Sequence, residues 1–88
     1  MIATSEDLKR ALRRMLNDGE TVITSYQLAR CAHPDARRNN KGPIAPNGMA
    51  VSRAGCFLID IYKYGLEGYM IDELPGKYIT LRMVKNEP

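Results

Sequence analysis

The sequence predicts an α+β fold of three helices and a small antiparallel sheet, on three observations. Two amphipathic helical patterns occupy the first 33 residues. A third runs from about residue 50 to residue 64 and stops at Gly65. Two β-rich runs follow, separated by the turn sequence Glu73-Leu74-Pro75-Gly76-Lys77. We therefore expect the third helix to lead directly into a β-hairpin.

Length and composition predict one domain, residues 1–88, because 88 residues can build one modest core but not two. Hydrophobic residues make up 44% and charged residues 26%, as in ordinary soluble proteins. No apolar run approaches the roughly 18 residues of a membrane span, and the start lacks a signal-peptide layout. Cys31 and Cys56 suggest reduced thiols. We expect a soluble, cytoplasmic protein with no membrane partner.

The net charge of +3 is unevenly distributed. Residues 1–65 carry ten Lys/Arg against six Asp/Glu, whereas residues 66–88 carry three against four. A basic body suits a polyanion, because each phosphate that is neutralised releases a counterion. The alternative is that the charge only keeps the protein soluble.

The first two helices are predicted from their caps and their apolar stripes. Thr4 or Ser5 can cap the first helix, and Asp18-Gly19 ends it. Its stripe consists of Leu8, Ala11, Leu12, Met15 and Leu16, opposite the basic residues Lys9, Arg10, Arg13 and Arg14. A short β-branched strand over residues 20–23 follows. Thr24 then opens the second helix in a capping box with Gln27. Its inward residues are Tyr26, Leu28, Ala29 and Ala32, and Pro34 closes it near Ala32 or His33.

Residues 33–48 predict a long loop, because they hold three prolines and two successive asparagines. The loop is basic through Arg37, Arg38 and Lys41. A loop of this length in a small domain is usually functional or disordered, and the choice stays open.

The third helix and the hairpin show matching apolar faces. On the helix, the apolar side consists of Val51, Ala54, Phe57, Leu58, Ile61 and Tyr64, with Gly65 as a left-handed cap. Strands are expected over residues 69–71 and 78–84, with Ile79, Leu81 and Met83 alternating on one face. Pro75-Gly76 fits a type II turn with a positive φ at Gly76. The tail, residues 85–88, is expected to fray.

The order helix, strand, helix, helix, strand, strand is that of a winged helix, in which the strand beside Val22 pairs with the hairpin. Three segments carry a family resemblance: Thr24-Ser25-Tyr26-Gln27-Leu28-Ala29, Gly65-Leu66-Glu67-Gly68-Tyr69-Met70-Ile71 and Leu74-Pro75-Gly76-Lys77-Tyr78-Ile79-Thr80-Leu81. They resemble the winged helix-turn-helix of the N-terminal DNA-binding domain of biotin-ligase repressors. The resemblance covers about two-thirds of the chain and implies DNA binding but no biotin chemistry. This chain departs from the family in its longer central loop and in an acidic wing tip, Asp72-Glu73.

The third helix is the candidate for reading bases. Helical geometry turns Ser52, Cys56, Ile59 and Lys63 outward, with Arg53 and Asp60 on the flanks. Side chains suited to base edges are Ser52, Arg53 and Asn47. Cys56 and Ile59 fit three roles equally: contact with thymine methyls, cover by the loop through Pro43 and Ile44, or contact with a protein partner.

The predicted DNA-binding set combines base and phosphate contacts. Basic loops commonly follow the phosphate backbone, and the hairpin turn adds a lysine. The set is Arg37, Arg38, Lys41, Asn47, Ser52, Arg53, Lys63 and Lys77. A solvated, flexible excursion is the alternative for the loop residues Arg37, Arg38 and Lys41, and plain solvated surface is favoured for the basic side of the first helix.

The sequence does not predict an enzyme, a cofactor or a metal site. Cys31, His33 and Cys56 lack the paired spacing of a structural zinc site, and a Cys31–Cys56 disulfide does not suit a reducing compartment. No nucleophile elbow or phosphate loop occurs.

The favoured hypothesis is a small sequence-specific regulator of transcription, of bacterial or phage origin, that binds double-stranded DNA. The alternative is a winged-helix module, such as a phage-encoded inhibitor or adaptor, that binds a host protein through Cys56 and Ile59. A homodimer is left open, since DNA-binding proteins often pair to match two half-sites, but no zipper is visible.

Overall fold

The structure is a computed structural model that describes residues 4–32 and 48–86. Its elements in chain order are α1 (Ser5–Asn17), β1 (Val22–Thr24), α2 (Ser25–Ala32), α3 (Gly48–Tyr64), β2 (Tyr69–Leu74) and β3 (Thr80–Lys85). Three helices and one antiparallel sheet confirm the predicted α+β class. Except for Gly48, which begins α3, the predicted loop over residues 33–48 lies outside the described residues.

The predicted capping box of the second helix is shown in one of its two hydrogen bonds, and the first helix has a complete capping box. At the start of α1, the Asp7 amide donates to Thr4 Oγ1 at 3.2 Å, and the Thr4 amide donates to Asp7 Oδ2 at 2.9 Å. The Gln27 amide donates to Thr24 Oγ1 at 3.0 Å and caps α2. Gly65 follows α3 with a φ of 82°, a conformation that glycine adopts without steric cost. Local sequence therefore sets where these helices begin and end.

The sheet has the strand order β1-β3-β2, and both pairings are antiparallel. Ile23 of β1 lies opposite Leu81, as expected for a first strand that joins the hairpin. The Ser25 amide also donates to the Ile79 carbonyl at 2.8 Å. β1 therefore ties the start of α2 to β3, and the sheet forms one wall of the core.

One hydrophobic core joins all three helices to the inner face of the sheet. Its buried residues are Leu8, Ala11, Leu12, Met15, Ile23, Leu28, Ala29, Ala32, Ala54, Leu58, Leu81 and Met83. α3 contributes Ala54 and Leu58, both fully buried, and Gly55 lies between them. These contacts fix which side of α3 faces the core and which side faces outward.

The hairpin differs from the prediction in three details. Gly76 does not have a positive φ, so the type II turn is wrong: five residues, 75–79, join the strands and need no left-handed residue there. Strand β2 is longer than predicted, because it extends to Leu74 instead of residue 71. Strand β3 is shifted toward the C-terminus, because it covers Thr80–Lys85 instead of residues 78–84. Lys85 and Asn86 are not frayed, because the Asn86 amide donates to the Gly68 carbonyl at 2.8 Å. Residues 87–88 lie outside the described residues.

Candidate nucleic-acid interface

α3 has one side in the core and one side in solvent. Ser52, Cys56, Ile59 and Lys63 are exposed, as predicted, and Ile59 retains 47% of its accessible surface. With 17 residues, α3 is about 25 Å long, so its open side spans several turns. Nothing in the described part of the chain covers this side of α3.

Tyr64 corrects the predicted inner face of α3. The helical period places it on the inward side with Phe57 and Ile61, which are half-buried against the core. Instead it is 77% exposed, because it is the last residue of the helix and extends past the packed region. Lys63 Nζ lies 5.3 Å from the centre of the Tyr64 ring, so both side chains project from the same end of α3.

An open groove of about 500 Å³ separates α3 from the tip of the hairpin. Ser52, Cys56 and Ile59 line one wall, and residues 73–80 line the other. Gly55 lies at the base, where a Cβ atom would approach Ile79 Cγ1 to 3.3 Å. The missing side chain allows the hairpin loop to sit close to the helix, which places the open side of α3 and the hairpin on one surface.

The charges around this groove are mixed. Lys77 is exposed at the tip, and its Nζ lies 5.7 Å from the centre of the Tyr78 ring. The Tyr78 ring contacts the Tyr26 ring of α2 at a centroid distance of 5.4 Å, so this aromatic pair packs the hairpin loop against α2. Glu73 lines the same groove. The hairpin therefore presents one cation, Lys77, and one carboxylate, Glu73, to the groove beside α3.

Asp72 and Glu73 do not form the predicted acidic wing tip, because both pair with β3 and the hairpin loop consists of residues 75–79. Asp72 is also paired with a cation, a feature that the sequence patterns did not predict. Arg82 Nη2 lies 3.0 Å from Asp72 Oδ2, and the two residues are directly opposite in the β2–β3 register. Glu73, in β2 beside the loop, forms no ion pair among the described residues. An alternating strand pattern could have indicated the pair only if the register had been known.

The structure divides the predicted DNA-binding set. Ser52 borders both flanks of α3, whereas Arg53 lines a separate groove on the side of α1, together with Ser5 and Asp60. Lys77 lies on the hairpin side. The set therefore spreads across α3 instead of converging on one point. Four predicted contacts lie outside the described residues: Arg37, Arg38, Lys41 and Asn47.

Both cysteines are free and exposed. Although Cys31 is exposed, the neighbouring atoms partly desolvate its thiol and raise the pKa; the nearby carboxylate of Glu20 acts in the same direction, so the thiol stays protonated at neutral pH. Among residues 4–32 and 48–86, no three His, Cys, Asp or Glu side chains are grouped as a metal site would need. None of the helices in these ranges has both the length and the apolarity to cross a bilayer.

Comparison with known proteins leaves the family open. The chain matches no family model, and no curated protein or solved structure matches it significantly. The resemblance to biotin-ligase repressors therefore stays a prediction from the three segments that carry it. The surface formed by α3 and the hairpin is accordingly the basis for a functional proposal.

Proposed function

We propose that the protein is a winged-helix DNA-binding protein, a small sequence-specific regulator of bacterial or phage transcription. The observation that carries the proposal is the side of α3 beside the hairpin, which no described residue covers. The order α1-β1-α2-α3-β2-β3, with β1 paired to β3, also supports it. In this arrangement α3 is the helix that enters the DNA and the β2–β3 hairpin is the wing.

The dimensions and side chains of α3 suit the major groove. The groove is about 12 Å wide and admits one helix. Near the start of α3, the Ser52 hydroxyl and the Arg53 guanidinium can reach base edges, and arginine pairs in bidentate fashion with guanine. Lys63 at the far end and Lys77 on the wing can then hold phosphates on either side.

Electrostatics support the same orientation. In the Asp72–Arg82 pair, the guanidinium partly offsets one of the two negative charges that would repel phosphates from the wing. The proposed contacts of Arg37, Arg38 and Lys41 add to the positive charge preceding α3 in the chain. Each contact contributes to affinity mainly by releasing counterions, so binding should depend strongly on salt.

Selection of duplexes from a random pool, followed by fluorescence anisotropy at about 50 and 200 mM salt, tests the proposal. Each phosphate contact adds about −0.9 to the slope of log K against log salt, so Lys77→Ala should flatten the slope by about that amount. Lys85→Ala is the matched control, because Lys85 lies at the opposite end of the same hairpin. Arg53→Ala should weaken binding to the selected sequence by about 5- to 150-fold. No enriched sequence, or equal effects of the two lysine variants, would contradict the proposal.

A second candidate is a protein-binding module, and the groove beside the hairpin favours it. Cys56 and Ile59 present an exposed thiol and a half-exposed aliphatic side chain to a mostly apolar groove. On this hypothesis Ile59→Asp abolishes partner binding while Arg53→Ala does not. Binding through an apolar interface would also change little between the two salt concentrations.

A further inference from the structure

A second groove, of about 710 Å³, lies between α1 and the C-terminal half of α3. It shares no lining residue with the groove beside the hairpin. Its floor is apolar, formed by the half-buried side chains of Leu16, Phe57, Ile61 and Leu66. One side of each of these side chains packs against the core, and the other side remains exposed to solvent in the groove. The floor therefore offers apolar surface for a ligand to bury.

The rim of this groove is basic on the side of α1. Lys9 and Arg13 line it one helical turn apart, or about 6 Å, and both are exposed. Neither forms an ion pair within the described residues, whereas Arg10 lies 3.9 Å from Asp7. A ligand that brings two carboxylates at the same spacing would meet both cations.

We propose that this groove binds an acidic amphipathic helix of a partner protein. Apolar side chains spaced at i, i+3 or i+4, and i+7 would cover the floor. Carboxylates one turn apart along the edge of the same helix would pair with Lys9 and Arg13. This inference does not depend on DNA binding by α3.

Two other occupants fit the observations less well. A DNA backbone could contact Lys9 and Arg13, but phosphates gain nothing from an apolar floor. A second copy of the chain offers no matching helix among the described residues. α1 has its acids only in the first turn, at Glu6 and Asp7, α2 has none, and α3 has the single Asp60.

The test uses three synthetic helical peptides with the same leucine stripe, whose flanking positions are all Glu, all Gln or all Lys. Each is titrated into the full ¹⁵N-labelled protein, and amide shifts and affinity are measured. We expect the Glu peptide to bind about two- to thirtyfold tighter than the Gln peptide, with shifts on α1 and on residues 57–69. Glu67 also lines the groove. Glu67→Gln should therefore tighten binding of the Glu peptide further.

Charge-reversal variants separate this groove from general attraction to a basic protein. Lys9→Glu/Arg13→Glu should reverse the preference, so that the Lys peptide binds tighter than the Glu peptide. Arg10→Glu/Arg14→Glu changes the same charge on the same helix but lies outside the groove, and it should preserve the order. Equal affinities for the three peptides, or equal effects of the two double variants, would overturn the proposal. So would competition by a short duplex DNA for the same α1 amides, which would assign the groove to nucleic acid.

Discussion

Asp7 shows how one side chain anchors the first helix. Its carboxylate accepts hydrogen bonds from the Thr4 amide at 2.9 Å and from the Thr4 hydroxyl at 3.0 Å. These bonds to Thr4, and to a smaller extent the charge of Arg10, lower the pKa of Asp7. The ionised form is therefore favoured in the folded state, and it also complements the positive end of the α1 dipole.

We predict that the contribution of Asp7 to stability is lost in acid. Because its folded pKa is depressed, the contribution is present above the ordinary aspartate pKa and disappears as pH falls through the folded value. Asp7→Asn should thus be less stable than the wild type at about pH 7 and equal to it near pH 2. Thermal unfolding at both pH values measures this. Glu6→Gln is the control, since it leaves the Thr4–Asp7 bonds intact, and an equal pH-dependent gap there would contradict the assignment.

Gly55 affects how closely the hairpin loop packs against α3, because it has no side chain. It is buried inside α3, where glycine is a poor helix former. A Cβ atom at this position would lie 3.3 Å from Ile79 Cγ1, so a larger residue would fit only if the Ile79 side chain shifted by a few tenths of an ångström. From the sequence alone, Gly55 is only a weak position in a helical pattern, because the hairpin that approaches it is more than twenty residues away along the chain.

At the scale of the element, α3 places a core residue and a surface residue next to each other in the chain. Leu58 is fully buried in the core, whereas Ile59 is 47% exposed toward the hairpin groove. Deleting a buried leucine side chain removes apolar contacts and leaves a cavity. Deleting a surface side chain leaves neither a cavity nor a large loss of contacts.

We predict that Leu58→Ala lowers the free energy of unfolding by about 2–5 kcal/mol. Ile59→Ala should change it by less than about 1 kcal/mol. Urea unfolding followed by circular dichroism measures both values. Comparable losses for the two variants would mean that the chain itself covers the outer side of α3, which would remove the surface on which the proposed DNA binding depends.

At the scale of the molecule, the sheet and the helices share one core, so we predict a single cooperative unfolding transition. Ile23, Leu81 and Met83 of the sheet are buried together with Leu28 of α2 and Leu58 of α3. Helix loss at 222 nm and loss of the tyrosine near-ultraviolet signal should therefore give the same midpoint. The Tyr26–Tyr78 contact joins α2 to the hairpin loop, so the tyrosine signal reports on that junction. An earlier tyrosine transition would show that the hairpin unfolds separately.

Local sequence was enough to predict the order and type of the helices and strands, because the signals that set them act over a short distance; the strand bounds were wrong by one to three residues at most ends. The capping residues Thr4 and Thr24, the glycine stop at Gly65 and the apolar periods act within a few residues of chain. The outward face of α3 followed from the same helical period, although Tyr64 did not. The hairpin turn could not be predicted from Pro75-Gly76, since its geometry depends on where the two strands stop pairing.

The surfaces between elements, by contrast, depend on how the elements pack in three dimensions. The Asp72–Arg82 pair depends on strand register, and the separation of Arg53 from Lys77 depends on what packs on either side of α3. The groove with Lys9 and Arg13 lies between α1 and the C-terminal half of α3, where the apolar residues Leu16, Phe57 and Ile61 stay partly exposed. Such features join residues far apart in the chain, so no local pattern can encode them.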